Sequence, residues 1–240
     1  TTTKSSPPKT GLEGVVAASS MICYIDGTKG VLAYCGYDIH ELAQHATFEE
    51  VCFLLWHRRL PTRGELGDLQ SQLVAARLLP DGIIRLMRSL PIDMSTDAMG
   101  GLRTLVSALS HFDGEADDNS RESRYRQAVR LTARMGSVVA TYGRLSAGAN
   151  MVEPDPVIGH AANFLLMLNG TRPSAAEARA LDVALILHAD HELNASTFAG
   201  RVTAATLSDL YSSIVAGVGA LKGSLHGGAN AAVMQMLLGI

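Results

Sequence analysis

Aromatic residues are scarce in this 240-residue chain, at 5%, and the shortage argues against a β-sandwich, whose strands need bulky and branched side chains for their packing. Cysteine is rarer still. The three present, Cys23, Cys35 and Cys52, are odd in number and lack the close paired spacing of a zinc ribbon or redox motif, so a reducing, cytoplasmic setting fits better than a disulfide framework. Charge of one sign is also missing: 20 Lys and Arg stand against 23 Asp and Glu, a formal net charge of −3. That balance offers no global field to hold nucleic acid or an anionic membrane. No apolar run has transmembrane length either, because the longest uncharged stretch, Gly223 to Ile240, carries Ser224, His226, Asn230 and Gln235. Residues 1–10, TTTKSSPPKT, have no apolar core and read as a flexible tail, not a targeting signal.

What is there is apolar and helical. Hydrophobic residues make up 47% and charged residues 18%, a composition that excludes disorder and supports one large domain or two small ones. Residues 11–37 hold Gly11, Gly14, Gly27, Gly30 and Gly36 around short apolar pieces, and Asp26-Gly27-Thr28 is a turn signal, which together predict a small β-hairpin. From Asp38 onward the patterning is helical. Thr47 with Glu50, Thr62 with Glu65 and Ser174 with Glu177 each spell a capping box, in which hydroxyl and carboxylate satisfy free helix N–H groups reciprocally. The last starts a helix whose Leu181, Ala184, Leu185 and His188 mark one buried face. The polar stretch from Asp113 to Arg126 predicts a solvated loop that enters a helix over Tyr125 to Leu145. Pro156 to Leu168 and Leu210 to Leu221 read as helices buried all round, and the small residues Ala216, Gly217, Gly219 and Ala220 of the second permit close helix approach in a core or a subunit interface. The expected class is mainly α, a multi-helical domain with a small N-terminal hairpin.

Several chemical motifs fail. Gly217-Val218-Gly219 begins like a dinucleotide fingerprint, but Lys222 takes the third glycine position and no strand precedes it. Neither a phosphate loop nor a Gly-x-Ser-x-Gly elbow occurs. His188, Asp190, His191 and Glu192 cluster, yet Ala195 stands where a His-Glu-x-x-His zinc motif needs its second histidine, so no metal is expected. His188, within an apolar run, is expected to be a hydrogen-bonded core residue. His191 ends that run, where a helix terminus opens toward a pocket. His226 lies between Gly223 and the Gly227-Gly228 pair, and these glycines let the backbone approach a ligand. Two readings stand at this point: a loop histidine that caps a turn, or a neutral imidazole, kept so by the dipole of a helix beginning near Asn230, that donates to a developing oxyanion.

The segment LHADHELNASTFAGRV (187–202) followed by SDLYSSIVAGVGALKGSLHGGAN (208–230) resembles the paired active-site segments of the citrate synthase family in order, separation and content. VLAYCGYDIHELAQHATFEEVCFLLWHRRLPT (31–62) is similar to the family's N-terminal signature. The resemblance implies condensation of oxaloacetate with acetyl-CoA, which is a substrate and not a cofactor, in a mainly helical homodimer with Leu210 to Leu221 at the interface. By it, His226 matches the histidine that stabilises enolised acetyl-CoA, His191 the one that binds oxaloacetate, and Asn194 and Gly227 belong to the substrate pocket. It leaves open 2-methylcitrate synthase, which would use propionyl-CoA, and a non-catalytic helical dimerisation module. Cys35, Ser224 and Ala231 depart from the residues common in relatives. The family's Gly-His-Arg segment, its Asp base and its carboxylate-binding arginines do not occur. The expectation is therefore that residues 11–240 are most of a large domain, without the small domain and C-terminal helices, and inactive alone.

Overall fold

A computed structural model describes residues 18–91 and 94–227. The tail at 1–10, Gly11 and Gly14, and the helix expected from Asn230 lie outside the described residues.

Strands β1 (Cys23–Asp26), β2 (Val31–Tyr34) and β3 (Tyr37–Asp38) form an antiparallel sheet in that order. The Asp26 carboxylate accepts from the Thr28 and Lys29 amides, both at 3.1 Å, and closes the expected turn. A third strand extends the hairpin. It follows a two-residue turn in which Cys35 (φ 51°) and Gly36 (φ 90°) are both left-handed, the combination that matches strand twist in a tight hairpin.

Ten helices follow among the described residues: α1 (Ile39–His45), α2 (Phe48–His57), α3 (Arg63–Ala76), α4 (Asp81–Ser89), α5 (Met94–Leu109), α6 (Arg121–Ser146), α7 (His160–Asn169), α8 (Ala175–Leu187), α9 (Ala195–Ala205) and α10 (Leu210–Leu221). All three capping boxes form, at the N-termini of α2, α3 and α8. One cluster joins α4, α5, α6 and α10 through Ile83, Met87, Leu105, Leu109, Val138 and Tyr211. A second packs the sheet against α1, α2 and α8 through Tyr34, Leu42, Val51, Leu54 and Ile186. Each such side chain contributes about 1.5–3 kcal/mol on burial, so the two clusters fix where the sheet and α10 sit.

Four expectations need correction. Pro156 does not begin a helix: Asp155 Oδ1 accepts from the Val157 amide at 2.8 Å, a local turn that leaves Val157 exposed, and α7 starts only at His160 behind an extended Gly159. Helices α7 and α10 are not buried all round within the chain, since only His160, Ala161, Asn163 and Met167 of the first and Tyr211, Ser213 and Val218 of the second are buried. In α8 the buried residues are Asp182 and Ile186, while Leu181 and Leu185 line an apolar cavity of about 430 Å³ with Leu131, Met135, Phe164 and Ile214. The polar stretch after Asp113 is anchored, not merely solvated. The Asp113 side chain is buried, which by itself would raise its pKa, but it accepts from the Tyr211 hydroxyl and from Arg130 at 2.8 and 2.9 Å, ties that outweigh burial and hold its carboxyl below the ordinary range.

Polar groups also sit inside. Asp182 accepts from the Phe48 amide at 3.0 Å and from Arg179 at 2.7 Å, and Arg179 also donates to the carbonyls of Ala43, Gln44 and Ala46 at the end of α1. Glu49 accepts from the His160 amide at 2.9 Å. The His160 ring is buried with Nδ1 unpartnered, and burial, with nearby Arg77 adding to it, pushes its pKa down to about 4. An unfolded histidine titrates near 6.5, so between about pH 6.5 and 4 the unfolded chain binds a proton that the folded chain refuses. The resulting stability, at most about 3 kcal/mol, is complete above that window and is lost as pH falls through it. Urea midpoints should therefore drop on acidification across this range, and His160→Gln should flatten the slope; an equally steep profile in the variant would place the acid-labile group elsewhere.

Candidate active site

Helix α8 ends at Leu187, and the chain turns sharply before α9. His188 caps the helix end, with Nδ1 2.8 Å from the Ala184 carbonyl; because the partner is a carbonyl, Nδ1 carries the proton. The residue is exposed, which corrects its assignment to the core. Its hydrogen bond is to its own helix end, where free carbonyls need donors. Asp190 Oδ1 accepts from the Glu192 amide at 2.8 Å, and Glu192 is left-handed at φ 57°. Asn194 then caps α9, its Oδ1 accepting from the Thr197 amide at 2.9 Å. Between these two local bonds His191 projects outward, exposed, its ring 6.1 Å from that of His188. Neither of its ring nitrogens forms a hydrogen bond among the described residues, so both are available to a ligand.

The second histidine arrives through the pairing of α9 with α10. The two run antiparallel and close. A Cβ on Gly200 would lie 3.1 Å from the Ser213 carbonyl oxygen, and one on Gly217 would lie 3.4 Å from that of Ser196. Gly200 lets the backbones approach more closely than a Cβ allows without adjustment, and at Gly217 a Cβ is already in van der Waals contact, with no room for a larger side chain on that line. The end of α10 is thereby set beside the first turn of α9. The chain reverses after Lys222, with the His226 amide donating to the Gly223 carbonyl and the Gly227 amide to that of Leu221, both at 3.0 Å. A Cβ on Gly227 would meet the Leu221 oxygen at 2.2 Å, so this turn accepts only glycine. Its geometry delivers the half-buried His226 ring to α9, with Nε2 2.7 Å from Ser196 Oγ.

His226 is thus held at the N-terminal end of α9, where aligned peptide dipoles favour negative charge, and His191 lies four residues before that helix begins. A serine hydroxyl can accept from an imidazole or donate to it. When Ser196 donates to Nε2, the proton of the neutral imidazole sits on Nδ1, and that N–H is left to donate outward. The helix expected after His226 lies outside the described residues. Among the described residues no three of His, Cys, Asp and Glu come together as metal ligands.

Of the residues singled out in the sequence, His191 and His226 carry free hydrogen-bonding capacity. Asn194 has its side-chain oxygen committed to the helix, and Gly227 serves the turn. Sequence reasoning missed Ser196 and Gly200. A glycine inside a helical pattern was a usable signal for close packing, whereas nothing in residue type pairs Ser196 with a histidine 30 positions away.

The family model described as "Citrate synthase, C-terminal domain" matches residues 11–240. The citrate synthase of Haloferax volcanii is 52% identical over 232 residues, a match that covers 95% of this chain and 61% of that protein. Among solved structures, citrate synthase from Pyrobaculum aerophilum superposes with a TM-score of 0.86 at 43% identity, covering 92% of this chain and 56% of that one. The enzyme from Thermoplasma acidophilum, solved as a ternary complex with carboxymethyl coenzyme A and oxaloacetate, gives 0.84 at 33% identity over 90% of this chain and 56% of its own. The chain therefore spans about three fifths of the length of the relatives it matches.

Proposed function

The chain belongs to the citrate synthase family, and from that premise we propose that it forms most of the large domain of an enzyme that condenses oxaloacetate with acetyl-CoA to give citrate and CoA. The observation that carries the reading is the 2.7 Å hydrogen bond between Ser196 and His226. It fixes an imidazole on a rigid turn, with the opposite ring nitrogen open. As the methyl proton of the thioester is removed, negative charge builds on the thioester oxygen, and a donor already aimed there lowers the barrier without reorganising. The enolised carbon forms its bond to the ketone carbon of oxaloacetate. Water then cleaves the thioester and releases CoA. His191, exposed and unpartnered beside the start of α9, hydrogen-bonds oxaloacetate. The ternary complex of the Thermoplasma acidophilum relative supports the same pair of ligands here. By the family resemblance, the proton-abstracting Asp lies outside these 240 residues.

The same reading makes the enzyme a cytoplasmic homodimer with α10 at the interface. Free thiols at Cys23, Cys35 and Cys52 suit a reducing compartment. Small residues on the open side of α10 suit a close helix contact, and a Cβ at Gly219 would meet nothing within 4 Å.

A steady-state assay of the intact protein with acetyl-CoA and propionyl-CoA tests the chemistry. Thioester cleavage should require oxaloacetate and favour acetyl-CoA, and cleavage indifferent to oxaloacetate would overturn the reading. His191→Ala should weaken oxaloacetate binding by about tenfold or more, the loss expected for a hydrogen bond to a charged ligand. Equal affinity by calorimetry would remove His191 from the pocket.

A further inference from the structure

The segment that carries His191 has little to hold it in place by itself. Its local bonds lie within residues 184–197, it passes through a left-handed Glu192, and the His191 ring has no hydrogen bond among the described residues. What fixes it comes from the other end of the sequence. Tyr34, at the end of β2, is fully buried, and its hydroxyl donates to the Ile186 carbonyl at 3.0 Å, with the Leu187 carbonyl at 3.4 Å, while accepting from the Asp190 amide at 3.3 Å. One oxygen therefore joins the last turn of α8 to the residue before His191. Those carbonyls belong to the end of α8, where only that of Ile186 also accepts from a backbone amide, that of Ala189 at 3.2 Å.

Two further ties run from β1. Cys23, directly opposite Tyr34 in the sheet and buried with it on the same face, sets its Sγ 3.7 Å from the Asp190 carbonyl. The Ile25 amide donates to Glu192 Oε1 at 3.0 Å. Residues 190 and 192, one on each side of His191, are thus both held by the sheet. The sheet is itself packed on Leu42, Val51 and Leu54, so the brace is anchored in a core. Burial pushes the Tyr34 phenol above its ordinary pKa, and the hydroxyl keeps its proton to donate across the neutral range.

We propose that Tyr34 is a positioning residue for oxaloacetate: acting from the N-terminal sheet through Ile186 and Asp190, it holds His191 where it can bind that substrate. The inference rests on the function proposed above. Removing the hydroxyl leaves the half-buried Asp190 amide without its partner and cuts the link to the Ile186 carbonyl, a lesion that the segment relieves by shifting toward water and carrying His191 with it.

The test is Tyr34→Phe in the intact protein, with oxaloacetate binding read by calorimetry and kinetics read for both substrates. Kd and KM for oxaloacetate should rise about tenfold, as loss of one buried hydrogen bond implies, while KM for acetyl-CoA and kcat at saturating oxaloacetate stay within about twofold. Leu73→Ala, a core lesion in α3 remote from the loop, controls for instability and should lower Tm without moving oxaloacetate affinity. Glu192→Ala, which cuts only the Ile25 tie, should raise Kd in the same direction by about threefold, and it carries the test if Tyr34→Phe does not fold. Unchanged oxaloacetate affinity in a folded Tyr34→Phe protein, or an equal rise in both KM values, would overturn the positioning role alone. A wild-type protein that binds no oxaloacetate would overturn the functional reading and this proposal with it.

Discussion

Replacing His226 with Ala in the intact enzyme is expected to lower kcat by about 10²- to 10³-fold, the range seen when one preorganised donor to a developing oxyanion is removed. Oxaloacetate affinity should stay within a few-fold, because the His226 hydrogen bond strengthens mainly as the enolate forms and so acts on the transition state more than on the bound ground state. The structural reason to expect so large an effect is the rigidity of the turn. The carbonyls of Gly223 and Leu221 accept from the amides of His226 and Gly227 and so fix the backbone at the imidazole, and Ser196 fixes the ring itself. Ser196→Ala should produce a smaller loss in kcat with the same pattern, since it acts through the histidine. Turnover measured beside calorimetric oxaloacetate binding decides the matter. An unchanged kcat in His226→Ala would remove the residue from catalysis, and a loss confined to oxaloacetate affinity would assign it to the other substrate.

Gly217→Leu is expected to destabilise the chain by about 1–3 kcal/mol, the usual cost of forcing side-chain atoms into a packed contact. The sequence suggested that this glycine faces a second subunit. Its Cβ direction instead points at the Ser196 backbone of the same chain, so the bulky side chain would push α10 away from α9. Ser196 is the partner of His226, and activity should fall together with Tm. Gly219→Leu supplies the contrast. A Cβ there meets nothing within 4 Å in the chain, so the variant should keep the thermal stability of the isolated fold, and if α10 packs on its symmetry mate it should weaken the dimer. Light scattering and thermal unfolding of the two variants separate the roles. A Gly219→Leu protein that remains dimeric, or a monomeric wild type, would take α10 out of the interface, and a Gly217→Leu protein of wild-type stability would contradict the close α9 contact.

The three capping boxes and the Asp26 turn were legible from sequence because each joins groups within three residues of one another, a range over which backbone geometry leaves few alternatives. The same locality explains the misreadings. Pro156 to Leu168 has an apolar composition that suits a helix, but the Asp155 side chain captures the Val157 amide first. Leu181 and Leu185 follow a helical stripe faithfully, yet which stripe of α8 becomes buried depends on where α1, α2 and the sheet pack, and they cover Asp182 and Ile186. Asp113 looked solvated because Arg130 and Tyr211, which enclose it, lie 17 and 98 residues away.

The candidate site divides along the same line. His191 and His226 could be picked out from the sequence because a histidine at the end of an apolar run and one flanked by glycines are unusual local settings, and the family resemblance sharpened both. Asn194, read as part of a pocket, caps α9 through its side-chain oxygen. The bond from Ser196 to His226, the contact of Gly217 with Ser196 and the reach of Tyr34 to Asp190 were decided by tertiary structure, at separations of 30, 21 and 156 residues. No sequence pattern encodes them, because they exist only once two glycines have let α9 and α10 close together and a buried sheet has been packed behind the loop.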